Sequence, residues 1–272
     1  MLPYFLFVVG MVMLVLFLIA RDKKSSMLAI ILKTVTSLFF IATGLASMVE
    51  NGVANDLGKV ALPCALVLMG LVLGMVGDIT LDFKIYFKGL EGEYANAGKD
   101  KDSMMYFGML AFGIGHVLYI TSMAIRFPGA GMNVLWSALV SIGVVAVMFV
   151  VCIFALKMQF GKFLVPSIVY AFLLCWFVVM SAMYVKPAGA STSSIVLLVG
   201  AILFVVSDMV LSMTYFSKPA DYEKQGVLNP ESRLMIVVNH VTYYLAQFLI
   251  ALSLLLSLIH ISEPTRLGMI SY

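Results

Sequence analysis

Eight apolar runs, each close to the roughly 20 residues a helix needs to cross a bilayer, leave few architectures open to this chain. They cover Leu2 to Ala20, Met27 to Val49, Val60 to Leu81, Met104 to Ile125, Val134 to Leu156, Phe163 to Val185, Ile195 to Tyr215 and Leu234 to Ile259. In hydrocarbon a lone segment survives only if it satisfies its own backbone hydrogen bonds, which means an α-helix. The expected fold is therefore all-α, a polytopic membrane bundle of eight transmembrane helices forming one domain over residues 1–261. Composition points the same way: 62% of the 272 residues are apolar and 11% charged, too little charge to cover a water-exposed globule or to bind nucleic acid. The first run has no basic segment ahead of it and outlasts a signal-peptide core, so it reads as a retained span.

Orientation follows from the basic residues, which are enriched in short cytoplasmic loops. The odd loops hold Arg21, Lys23, Lys24, Lys84, Lys88, Lys99, Lys101, Lys157, Lys162, Lys218, Lys224 and Arg233, whereas the even loops hold Lys59, Arg126 and Lys186. This asymmetry puts the odd loops in the cytoplasm and both termini outside, with a bacterial inner membrane as the expected location. The stretch from Lys84 to Ser103 reads as an unusually long third loop. Cys64, Cys152 and Cys175 sit singly in apolar runs, without disulfide or zinc spacing, and read as packing residues. From Ser262 to Tyr272 the helical apolar pattern stops; the string resembles translated sequencing-adapter read-through, and with His260 it is set apart from the functional reading.

The chain echoes itself. Gly70-x6-Gly77-Asp78-x-x-Leu81 in the third run aligns with Gly200-x6-Ser207-Asp208-x-x-Leu211 in the seventh, and His116-Val117-x-Tyr119 in the fourth aligns with His240-Val241-x-Tyr243 in the eighth. Three-residue spacing puts each His and Tyr on one helix face. The copies lie four spans apart and so run the same way through the bilayer, as in a four-plus-four bundle of parallel repeats.

An ionisable side chain in hydrocarbon costs at least about 2.5 kcal/mol on insertion scales, so the few that occur face the bundle interior and mark a site. Asp78, Asp208, Lys33, His116 and His240 qualify, with Tyr119, Tyr243, Tyr244 and Gln247 as uncharged companions. A helical rise of 1.5 Å per residue places them within or near the cytoplasmic half, as a polar pocket open to the inner leaflet requires. Desolvation disfavours a carboxylate, and two neighbouring carboxyls disfavour double ionisation, so one of the two aspartates can serve as an acid while the other stays ionised. Structural alternatives stand beside this: Asp78 as a helix cap, Asp208 as a partner of a Tyr or His, and Lys33 snorkelling to the interface. A two-Asp, two-His metal site is disfavoured by the unequal depths and the lack of a closely spaced His pair.

Gly77-Asp78, Phe112-x-x-Gly115-His116-x-x-Tyr119, Gly200-Ala201-x-Leu203-Phe204-x-x-Ser207-Asp208 and Tyr243-Tyr244-Leu245-Ala246-Gln247 together resemble the YhhN/TMEM86 family of lysoplasmalogenase-like membrane proteins, from the second span to the eighth. The resemblance implies hydrolysis of the vinyl ether bond of lysoplasmalogens to a fatty aldehyde and glycerophospho-ethanolamine or glycerophospho-choline, with no organic cofactor. Acid-catalysed cleavage of that bond protonates carbon and passes through an oxocarbenium ion, so it wants a protonated carboxyl and a negative charge beside water. On this reading Asp78 and Asp208 are the catalytic pair. His116 and Tyr119 orient a carboxylate or the water, His240, Tyr243, Tyr244 and Gln247 bind the substrate from the other repeat, and Lys33 holds the lysophospholipid phosphate. The partners are then a lysophospholipid and the lipid bilayer. A proton-coupled transporter is the rival class, although the spans lack paired Gly/Pro interruptions. An aspartyl protease of the GxGD type needs glycine where Met75 stands.

Overall fold

The computed structural model describes residues 1–21, 27–54, 57–126, 134–186 and 190–256. It is all-helical, and eight of its helices are long and apolar enough to cross a membrane, which makes the chain a multi-pass membrane protein. The spans are α1 (Leu2–Ala20), α2 (Met27–Ala54), α3 (Leu57–Gly89), α4 (Ala97–Arg126), α5 (Val134–Val150), α6 (Leu164–Val185), α7 (Thr192–Phe216) and α9 (Arg233–Leu256), with the single turn α8 (Pro219–Tyr222) on the link before α9. The end of the eighth apolar run and the tail from Ser262 lie outside the described residues.

The long third loop is corrected. Helix α3 runs on to Gly89 and α4 begins at Ala97, so only residues 90–96 join them. A helix leaving hydrocarbon continues on its own hydrogen bonds, and Lys, Glu and their like are good helix formers. Here the protruding ends are tied by ion pairs, Lys88 to Glu231 at 2.8 Å and Lys101 to Glu91. The fifth run is helical as expected, but its last turn, Val151–Ala155, is wound as a π-turn.

Packing repeats in the order of the sequence echo. Helix α1 lies on α2 as α5 lies on α6, α2 on α3 as α6 on α7, and α3 on α4 as α7 on α9; α2 on α9 and α4 on α6 join the halves. Without a hydrophobic drive between helices in lipid, close approach depends on small residues. Glycine is needed at both echoed positions. A Cβ on Gly70 would run into the Tyr119 ring, and one on Gly200 would lie 3.2 Å from the Ala246 carbonyl oxygen. Aromatic side chains such as Phe17, Phe40, Phe177, Phe204 and Phe248 fill the interior, while Phe5, Leu135, Trp136 and Phe154 face outward, where lipid lies.

Candidate active site

Helix α3 presents two carboxylates one turn apart, Asp78 and Asp82, on the same face. Helix α2 meets them with Lys33 and Ser37, also one turn apart, and Arg21 approaches from the end of α1. The Lys33 ammonium lies 3.4 Å from Asp78 Oδ1 and 3.4 Å from Asp82 Oδ1, and it also donates to the Asp78 backbone carbonyl at 3.4 Å. All three of these contacts are to α3. Ser37 donates to Asp78 Oδ2 at 3.0 Å, and the Arg21 guanidinium lies 4.0 Å from Asp82 Oδ1. These four charges are almost wholly buried, at 4% exposure for Asp78, 1% for Asp82, 6% for Lys33 and 5% for Arg21. Two cations balance two carboxylates, the arrangement that makes buried charge tolerable.

Asp208 comes from α7, in the other half. Among the described residues no cation reaches it; its partner is Tyr170 of α6, whose hydroxyl donates to Asp208 Oδ2. Asp78 and Asp208 line one cavity of about 60 Å³, together with Arg21, Lys33, Asp82 and His240. A buried water needs roughly 10–15 Å³ and polar partners, and this cavity offers room and polar walls for more than one. A second cavity of about 90 Å³ lies between α4, α5, α6 and α7 and is walled chiefly by Met105, Met109, Met148, Phe149, Phe160 and Leu174. Leu81, Phe112, Asp208, Leu211 and Tyr215 belong to both walls. Asp208 thus stands where a charged chamber and an apolar one adjoin.

The remaining sequence candidates divide between lining and support. His240 lines the charged cavity; its Nδ1 donates to the Ile236 carbonyl at 2.7 Å, and its ring packs on Phe17 at 5.0 Å. Tyr243 also lines the cavity and donates to the Gly74 carbonyl at 3.3 Å. Gln247 ties the repeats together, donating to Tyr243 Oη at 2.9 Å and accepting from Tyr119 Oη at 3.1 Å. Tyr244 donates to the Lys33 carbonyl at 3.1 Å and sits 3.2 Å from Ser37 Oγ, holding the α2 face that carries the lysine.

His116 and Tyr119 differ from expectation. Neither lines the charged cavity. The Tyr119 hydroxyl goes to Gln247 rather than to a carboxylate. His116 Nδ1 donates to the Phe112 carbonyl at 2.8 Å, the same local bond its echo His240 makes. Its ring is boxed by Phe204 at 4.7 Å and by Tyr119, Tyr170 and Phe177. The difference is one of depth: His116 stands four residues beyond Phe112, one turn farther from the odd-loop end of α4, and it is Phe112 that lines the cavity.

Four residues of the site escaped the sequence reading. Asp82 fell one residue past the third apolar run, although its four-residue spacing from Asp78 marks a shared helix face. Arg21 reads from sequence as a loop charge. Ser37 and Tyr170 carry no charge and were lost among the serines and the 12 tyrosines; only three-dimensional proximity identifies them. Searches of curated proteins and of solved structures return no match. The YhhN family profile matches residues 28–254, spanning α2 through nearly all of α9 and every residue of the site except Arg21, and the chain therefore belongs to the YhhN family.

Proposed function

We propose that this protein is a lysoplasmalogenase-type hydrolase that cleaves the vinyl ether bond of a lysophospholipid. The observation that carries the reading is the position of Asp208 between the charged cavity and the apolar one. A single-chain ether lipid has this same division: a hydrocarbon tail, a polar head, and the reactive bond between them. The tail lies in the Met- and Phe-lined chamber, the head lies toward Arg21, Lys33 and Asp82, and the alkenyl carbons rest against Asp208.

Charge bookkeeping assigns the roles. Arg21 and Lys33 are matched by Asp78 and Asp82, so an ionised Asp208 would be an uncompensated buried charge, the costliest kind. Asp208 therefore carries the proton, with Tyr170 holding one oxygen and leaving the other to face the substrate. Asp208 gives its proton to the alkenyl carbon remote from the ether oxygen, and the positive charge moves onto the oxygen and its neighbouring carbon. The Asp78 carboxylate stabilises that cation across the cavity, as fixed charge in a dry site does. Water adds to the cationic carbon and returns a proton to Asp208. The resulting hemiacetal collapses to a fatty aldehyde and the free glycerol hydroxyl, consuming one water. Lys33 keeps Asp78 ionised and oriented, and the Tyr119–Gln247–Tyr243 chain fixes the spacing of the two halves.

The test is aldehyde release by purified protein in detergent from alkenyl, alkyl and acyl lysolipids of matched chain length. Release from the alkenyl substrate alone, lost in Asp78→Asn and Asp208→Asn proteins that remain folded, is the expected result. Fatty acid from the acyl lipid, or full activity in both variants, refutes the reading.

A further inference from the structure

Buried polar atoms almost always have hydrogen-bond partners, so an orphan calls for an explanation. The described residues contain few such atoms, and three of them sit on one wall of the charged cavity: Arg21 Nε, Arg21 Nη1 and Asp82 Oδ2. Both side chains are more than nine-tenths buried. The guanidinium and carboxylate lie 4.0 Å apart at their nearest atoms, beyond hydrogen-bond distance. Two donors on a cation and one acceptor on an anion are thus left unused side by side. Lys33 is not in the same position, since its ammonium already contacts both carboxylates and the Asp78 carbonyl. Arg21 is also braced from behind. Arg233 of α9 donates to the Arg21 and Leu18 carbonyls, which fixes the end of α1 without occupying its guanidinium.

We propose that Arg21 and Asp82 form a receptor for a zwitterionic phosphoryl-amine headgroup, Arg21 donating to the phosphate oxygens and Asp82 Oδ2 accepting from the ammonium group. The proposal rests on the lysophospholipid reading above and assigns to Arg21 and Asp82 the recognition of that substrate's headgroup, which the reading leaves without specific contacts. It moves the phosphate contact from Lys33, the expectation from sequence, to Arg21. An arginine suits the task because its planar fork meets two phosphate oxygens at once. The matched pair of orphans also explains why the wall stays neutral when empty: a guest carrying both charges satisfies both groups and adds no net charge to a buried cluster.

The experiment is calorimetric titration of the detergent-solubilised full chain with two probes, glycerophosphoethanolamine and glycerol 3-phosphate. Arg21→Met is expected to weaken both by roughly ten- to a hundredfold, the range of a charge-assisted hydrogen bond to a buried partner, and Arg21→Lys by less. Asp82→Asn separates the two probes, weakening glycerophosphoethanolamine at least about fivefold more than glycerol 3-phosphate, because only the former has an ammonium group. Thermal unfolding verifies that each variant is folded. Equal binding of glycerophosphoethanolamine to wild type and Arg21→Met overturns the proposal, as does an equal loss of both probes in Asp82→Asn, the mark of a purely structural carboxylate. The outcome is independent of turnover: a wild type that binds the probes through Arg21 but cleaves no vinyl ether refutes the hydrolase and leaves the receptor standing.

Discussion

Replacing Lys33 with methionine removes a cation that touches two carboxylates, and the size of the effect follows from the geometry. At 3.4 Å and an effective dielectric of about 20, each pair is worth about 5 kcal/mol before desolvation is subtracted. Methionine keeps the packing of the stem but leaves Asp78 with the neutral hydroxyls of Ser37 and Tyr243 and leaves Asp82 with Arg21 at 4.0 Å. Deleting one partner of a buried pair costs about 3–5 kcal/mol, because the other charge stays behind uncompensated. Lys33→Met is therefore expected to lose about that much stability. Asp82→Asn made in the same chain removes one of the two stranded charges. The double variant is then more stable than the sum of the single losses implies, by about 2 kcal/mol or more, as expected of residues sharing a network. Reversible unfolding in mixed micelles, followed by far-ultraviolet circular dichroism across the four proteins of the cycle, measures this. A loss below about 1 kcal/mol for Lys33→Met, or additive losses in the double variant, would refute the argument that the cluster is held by charge balance.

Three further outcomes follow from the site. Tyr170→Phe removes the hydroxyl that orients Asp208 and should lower kcat about ten- to a hundredfold with little change in KM; steady-state kinetics with unchanged kcat would detach this tyrosine from the proton donor. Ala171→Phe, in the wall of the apolar chamber, should shift preference toward shorter alkenyl chains in a competition assay across chain lengths, and an unmoved preference would place the tail elsewhere. Gly70→Val must push aside the Tyr119 ring, with an overpacking cost of about 1–3 kcal/mol; a wild-type unfolding midpoint would show that the α3–α4 crossing is looser than described.

Much of the architecture was legible because hydrocarbon is a severe solvent. It demands long apolar runs, and all eight are helical over their described residues. What it does not govern was harder to read. The charged ends of α3 and α4 remain helical past the apolar runs, and the residue that closes the charge balance, Asp82, stands just where the third run ends. The echo of Asp78 and Asp208 located the two halves of the cavity, and the echo of His116 and His240 reappears as the same imidazole-to-carbonyl bond four residues back. Sequence spacing cannot say which copy faces the cavity, because that depends on helix rotation and on neighbours such as Phe112. That Lys33 contacts two carboxylates while Arg21 keeps unpartnered nitrogens is a fact of three dimensions.

Hydrolysis carried out in deuterium oxide tests the central claim most directly, since the proposal requires a proton to pass from Asp208 to carbon. With the aldehyde trapped as it forms and weighed by mass spectrometry, one deuterium should appear on the carbon next to the carbonyl, and Asp208→Asn should yield no product. An aldehyde without that deuterium, or labelled aldehyde formed at the wild-type rate by Asp208→Asn, would contradict the account.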